Sequence, residues 1–300
     1  MKRLLPQDGL VYKFRPDLKP VATIRSGEVV EFVCEDACGG QIRSEADTLD
    51  KLDFDRVNGA TGPVAVADAE PGDALRVTIQ EIRVGSTGFQ SIEPKYGVLG
   101  DAVSAPQTKM IPIRKGIAHF SDRIHLPIRP HVGTIGVAPR DKEWTTFYPG
   151  DHGGNLDTKE IAKGNAVYLP VFQPGAQLAV GDVHALMADG EVCVTGIEIE
   201  GMVRAKLDLV RGLGLPRPVV ETRDAWMAVA SAPTLDEAAR LATEDGVGLL
   251  ARGAKLSWSD AYMLASIACD LRISQDVDPW RTAKLVVPKR FVRRLPEASG

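Results

Sequence analysis

GDHGGNLDTKEIAKGNAVYLPVFQPGAQLAVGDVHALMADGEVCVTGIEIE, residues 150–200, is the stretch that decides the fold. Ala166 to Phe172 and Gln177 to Val183 are apolar runs separated by Pro174-Gly175, which reads as strand, turn, strand. Val192 to Ile199 reads as a further strand, entered from the turn dipeptide Asp189-Gly190. His152, Asn155, Asp157, Glu160, Asp182, His184, Asp189 and Glu191 fall at the turns and strand ends. Loops on a rigid scaffold are where reactive groups are held. Oxygen and imidazole ligands of this kind suit a divalent metal such as zinc.

The same signals extend in both directions. Val29 to Cys34 (VVEFVC) is a strand, and Glu35-Asp36-Ala37-Cys38-Gly39-Gly40 turns the chain after it. Leu75, Val77 and Ile79 alternate with Arg76, Thr78 and Gln80, the period of a half-buried strand. PGDALRV at 71–77 resembles PGAQLAV at 174–180, a match too short to establish a duplication. Over 85–150, Pro94, Pro106, Pro112, Pro127, Pro130 and Pro139 break up short apolar runs, which suits edge strands and loops. Beyond Pro216-Arg217-Pro218 the pattern changes. Asp224 to Ser231 reads as a strand, Thr234 with Glu237 as a capping box opening a helix, Ser259 to Leu271 as a second helix and Lys284 to Val287 as a closing strand. The expected fold is mainly β with an α+β C-terminal part. A β-sandwich-like core would come from residues 1–84 and 151–215, a small β-unit would be inserted at 85–150, and 216–300 would be α+β.

A net charge of −4 argues against a nucleic-acid partner, and Lys289, Arg290, Arg293 and Arg294 read as a solvated basic cluster. No apolar run is long enough to span a bilayer, so no membrane partner is expected. Pro6 stops the opening MKRLL before any secretory apolar region, so the expected location is cytoplasmic. Cys34, Cys38, Cys193 and Cys269 lack paired zinc-finger spacing and read as reduced thiols. G-x-S-x-G, H-E-x-x-H and the P-loop signature are all missing.

Asn155 and Asp157 lie two apart, so an extended chain would point both the same way; a plain Asx-turn is the alternative. Asp182 and His184 share that spacing. A regular hairpin would hold His184 and Glu191 roughly 13 Å apart, so a shared site needs a compact loop at 185–190. Asp36 is a turn-former unless its strand end meets the 155–157 and 182–191 loops. Pro130 to Pro139 is glycine-rich enough to bring backbone near a ligand, with His131 and His152 at a pocket rim.

Six ordered segments carry a resemblance: EDACGGQI (35–42), EPGDALRVTIQEI (70–82), PHVGTIGVAP (130–139), GGNLDTKEI (153–161), LPVFQPGAQLAVGDVHALMADGEV (169–192) and DAYMLASIACDLRISQDVDP (260–279). Together they resemble the acetamidase/formamidase family. That resemblance implies a mostly β fold, oligomers (a homodimer or higher), a metal in the site and hydrolysis of short linear amides to carboxylate and ammonia. Its motifs fall on Asp36, Asn155, Asp157, His184 and Glu191. From their chemistry, Asp36, Asp157 and His184 are expected to hold a divalent ion, zinc foremost and calcium as the alternative. Glu191 is expected to be the general base, Asn155 to steady the carbonyl oxygen, and Gly154 and His131 to contact the substrate, with Asp189 as the second acidic candidate. Val183 and Leu186-Met187-Ala188 make the loop apolar, which favours a larger acyl group than formamide offers. Two rivals stand beside this reading: hydrolysis of a ureido or carbamoyl compound, and a non-catalytic β-module that binds a small polar ligand.

Overall fold

A computed structural model describes residues 2–296. Two large sheets share one apolar core. The larger has nine strands in the order Lys2–Leu4, Val29–Cys34, Gly201–Val210, Ala74–Val84, Ala166–Pro170, Val219–Glu221, Ala225–Ala232, Arg281–Pro288 and Asp270–Gln275. The other runs Gly153–Asn155, His131–Gly136, Leu178–His184, Ala60–Val66 and Leu10–Val11, with Ala22–Ile24 also paired to Ala60–Val66. Phe32, Leu75, Val77 and Ile79 of the first sheet join Val64, Val132, Ile135, Val180 and Val183 of the second in one buried cluster. The alternation read from 75–79 is therefore the pleat of a strand with one face in the sandwich. Thr61 Oγ1 donates to Val33 O (2.7 Å) and Cys34 Sγ to Val180 O (3.4 Å), pinning the sheets together. All four cysteines are free thiols.

Thr87–Ile92, Gln107–Arg114, Ile117–His119 and His125–Pro127 form a separate four-stranded antiparallel sheet. His131–Gly136, although within 85–150, leaves that unit and pairs along Leu178–His184. The C-terminal strands continue the nine-stranded sheet through Val219–Glu221. Helix α1 (Leu235–Gly253) begins where Thr234 Oγ1 accepts from the Glu237 amide (3.3 Å). Helix α2 (Trp258–Ala268) stops short of the expected Leu271, because Asp270–Gln275 is drawn into pairing with Arg281–Pro288 and Leu271 is exposed on it.

The strand expected at Val192–Ile199 does not form. Positive φ at Glu191 (46°) and Val194 (77°) bends the chain, and only isolated bridges remain, Glu198 to Phe89 and to His184. Ala185 and Ile197 exchange backbone hydrogen bonds with the returning segment, Ala185 N to Ile197 O (2.9 Å) and Ile197 N to Leu186 O (2.8 Å). Residues 185–198 are thus the compact loop that a shared site requires.

That loop is tethered to the C-terminal strands by ions. Lys284, fully buried on Arg281–Pro288, donates to Glu160 Oε2 (2.6 Å) and Asp189 Oδ1 (2.8 Å). Lys159 and Arg272 also pair with Asp189. Removing one partner of a buried ion pair costs about 3–5 kcal/mol. Lys284→Met is expected at the lower end, about 3 kcal/mol, because Arg272 and Lys159 still serve the stranded acids. Urea denaturation of the variant measures this, and a midpoint unchanged from wild type would refute the tether.

Candidate active site

Six polar side chains converge in a cavity of about 500 Å³: Asp157, Asp182, His184, Glu191, Glu198 and Asp278. All six are buried. His184 ends the central strand of the smaller sheet. Its Nε2 lies 3.2 Å from Asp182 Oδ1, 3.1 Å from Glu198 Oε2 and 3.9 Å from Glu191 Oε1. Asp157, His184 and Glu191 each bring one donor atom within 4.8 Å of the others, and so do Asp182, His184 and Glu198.

The backbone bends to deliver these groups. Asp157 (φ 42°), Asp182 (φ 52°) and Glu191 (φ 46°) all hold left-handed conformations. Non-glycine residues there cost about 1–3 kcal/mol each and concentrate at functional sites. Asp182 does so within Leu178–His184, which turns its carboxylate toward His184.

A histidine relay sets the tautomer of His184. Its Nδ1 lies 3.1 Å from His131 Nε2, and His131 Nδ1 lies 3.2 Å from Arg129 O. A carbonyl can only accept, so His131 carries its proton on Nδ1 and accepts from His184 Nδ1–H. Burial, then the neighbouring His184, pushes the His131 pKa down to about 3, which keeps it neutral. The Nε2 of His184 is thereby left facing the acids.

Five buried carboxylates around one imidazole are electrostatically unbalanced. Burial, then Asp157, raises Glu191 well above the ordinary range. Burial, then Asp278, does the same to Asp157, and burial, then Glu191, to Asp278. Glu198 is raised to about 7, chiefly by burial. Against its own burial, His184 is raised well above its ordinary value by Glu198 and Asp182. Asp157 Oδ1 accepts no hydrogen bond, and Asp182 Oδ1 and Glu198 Oε2 have His184 Nε2 as their neighbour rather than a well-aligned donor of their own. Buried carboxylate oxygens in that state fit a cation.

The sequence-derived positions divide. Asp157, His184 and Glu191 come together. Asp36 does not join them: its Oδ1 accepts from the amides of Cys38 (2.9 Å) and Gly40 (3.2 Å), which makes it the turn-former of its loop. Asn155 lines the cavity, but its amide hydrogens are taken by Asp157 Oδ2 (2.8 Å) and Asp278 Oδ2 (2.9 Å). Its oxygen accepts from Asn58 Nδ2 (3.1 Å) and from Thr134. Asn155 thus has no amide hydrogen left for a substrate carbonyl, and it positions two acids instead. His131 lies behind His184, and Gly154 (φ 84°) pairs with Ile135; neither lines the cavity. His152 stacks on Trp144 and does not line the cavity either. Asp189 is held below the usual carboxylate range, despite partial burial, by Lys284 and Arg272, so it is a tether and not a base. Cys38 lines the cavity, but burial and neighbouring acids raise its thiol pKa, so it remains a neutral thiol.

Three members of the cluster were given no role from sequence. Asp182 carried a signal in its spacing from His184. Glu198 was hidden inside an expected strand. Asp278 sits in a turn built by buried Gln275, whose Oε1 accepts from the amides of Val277 (2.8 Å) and Asp278 (2.9 Å).

A sequence model of the Acetamidase/Formamidase family matches residues 2–145 and 141–292. The crystal structure of acetamidase from Bacillus halodurans superposes with a TM-score of 0.95 at 40% identity, covering 98% of this chain and 99% of that one. The formamidase of Methylophilus methylotrophus is 27% identical over 287 residues, 73% of this chain and 70% of that protein. A Schizosaccharomyces pombe protein with a provisional formamidase name is 28% identical over 269 residues, 68% of this chain. The chain spans 65% of the length of that curated relative. No helix among the described residues is long and apolar enough to cross a membrane.

Proposed function

Because the chain belongs to the acetamidase/formamidase family, we propose that it hydrolyses a small linear carboxamide to a carboxylate and ammonia with the help of a divalent ion. The observation that carries this reading is the convergence of the buried Asp157, Asp182, Glu191 and Glu198 with His184 in two overlapping donor sets, Asp157 Oδ1 lacking a hydrogen bond. Asp182, His184 and Glu198 would hold the ion, with Asp157 beside them. A divalent ion in such a donor set supplies Lewis acidity for water and for an amide carbonyl. Zinc fits the imidazole, and calcium is the alternative for so many oxygens.

The chain's own groups have separate tasks. Glu191, raised by burial and Asp157, is suited to take a proton from the attacking water and return it to the leaving nitrogen. Asn155 holds Asp157 and Asp278 in register. His131 fixes His184 as an Nδ1–H tautomer, leaving Nε2 free as a ligand.

Ammonia release from a panel of primary amides, with and without a chelator, tests the proposal. The expected result is turnover that chelation abolishes and that zinc or calcium restores, with about one metal per active chain by elemental analysis. Inertness toward every amide in the metal-loaded state would overturn the amidase reading. Full activity in metal-free protein would overturn the ion.

A further inference from the structure

Acetamide or formamide would fill only a small part of this cavity. Its volume of about 500 Å³ lies within the roughly 300–1,000 Å³ range of sites that enclose drug-sized ligands. A water occupies about 30 Å³ of liquid, so an amide whose acyl group is one methyl would leave most of the space to solvent. The wall is apolar and aromatic: Leu49, Leu52, Phe54, Phe147 and Tyr148 line it together with the acids. Leu49 and Leu52 are backed by Cys38, Ile42 and Phe89, so this wall is packed from behind.

The charge of the lining is one-sided. Asp50 and Glu93 line the cavity in addition to the five clustered carboxylates, and no lysine or arginine among the described residues does. Glu93 Oε2 is buried without a hydrogen-bond partner, and burial, then Asp50, raises its pKa. Away from the proposed ion, a substrate bearing its own carboxylate would meet Asp50 and Glu93 and no lysine or arginine among the described residues. Like charges brought together at a site select against that partner.

We infer that the preferred substrates are primary amides with a large, apolar, non-anionic acyl group, such as arylalkyl amides, and that Leu52 and Phe147 help to select them. This rests on the amidase reading above and narrows it. It also disfavours carbamoyl compounds that carry a carboxylate.

The test is kcat/KM for acetamide, phenylacetamide and succinamate with the metal-loaded enzyme. One methylene in an apolar pocket is worth about tenfold or more, so phenylacetamide is expected to exceed acetamide by at least about tenfold, with no detectable turnover of succinamate. Leu52→Ala and Phe147→Ala, outside the acid cluster, are expected to lower the ratio of kcat/KM for phenylacetamide to that for acetamide about tenfold. Acetamide turned over as well as phenylacetamide, or succinamate accepted, would overturn the inference while leaving the amidase reading intact. Silence on all three amides would sink the amidase reading itself. The wild-type panel decides the matter even where a variant fails to fold.

Discussion

Glu191→Gln is expected to give a folded, metal-loaded protein that releases ammonia about 10²–10⁴-fold more slowly than wild type. Glutamine keeps the shape of the side chain and one acceptor oxygen, but it cannot take a proton from water at neutral pH. Glu191 is 7% exposed and lines the cavity, so this is no solvent-facing hairpin residue whose replacement would pass unnoticed. Burial and Asp157 push its pKa up, which makes it a stronger proton acceptor than an ordinary carboxylate. A purely structural role predicts a different pattern. Removing one acid from an overcrowded cluster would relieve repulsion, raise the melting temperature and leave kcat nearly untouched. The two readings therefore separate on kcat against Tm, with metal content as the control. A metal-loaded Glu191→Gln enzyme with near wild-type kcat would falsify the general-base assignment.

The β-framework was legible because its signals are local. Leu75, Val77 and Ile79 alternate with polar residues, and Pro174-Gly175 separates two apolar runs; each reports a strand before any tertiary contact is known. Thr234 announced α1 by the hydrogen bond it makes in the structure. The error at Val192–Ile199 had a physical cause. Val192, Val194, Ile197 and Ile199 have strand composition, but the loop bends at Glu191 and Val194 to bring two acids onto His184. A left-handed glutamate is not written in any local pattern, since such a conformation persists only when the surroundings enforce it. Asp36 failed for the opposite reason. An aspartate before a Gly-Gly turn has a local job, capping amides two and four residues on, and it does that job here. Asp278 needed a meeting between the C-terminal sheet and Asn155, 123 residues away in sequence, which no spacing rule reports.

The other large effect is expected from the addition of a single methyl group, at Gly133. This residue lies in His131–Gly136 beside the bend at Asp182; its neighbours Val132 and Thr134 pair with Val183 and Gly181. A Cβ at Gly133 would lie 2.5 Å from Asp157 Oδ1 and 3.0 Å from Asp182 Cγ. Neither acid can yield cheaply. Asp157 is held by Asn155 (2.8 Å), and the amides of Leu156 and Asp157 donate back to Gly133 O at 3.1 and 3.3 Å. Gly133 is not among the residues with positive φ, so alanine can adopt its backbone and the penalty is one of space alone. Overpacking of this kind costs about 1–3 kcal/mol, which a domain of this size survives. Displacing a reactive group by about 1 Å costs about 10²-fold in rate. Gly133→Ala is therefore expected to remain folded, to bind metal more weakly and to lose at least about 10²-fold in kcat/KM. Gly248→Ala is the matched control. It sits in α1, where an added methyl meets only the flexible end of Arg252 at 3.3 Å, and helix propensity favours alanine by about 1 kcal/mol. That control should keep full activity and gain slightly in stability. Metal content and kcat/KM of the two variants, measured side by side, settle the point. If Gly133→Ala keeps wild-type values of both, then Asp157 and Asp182 are not packed against this glycine, and the acid cluster does not depend on the close approach of this strand.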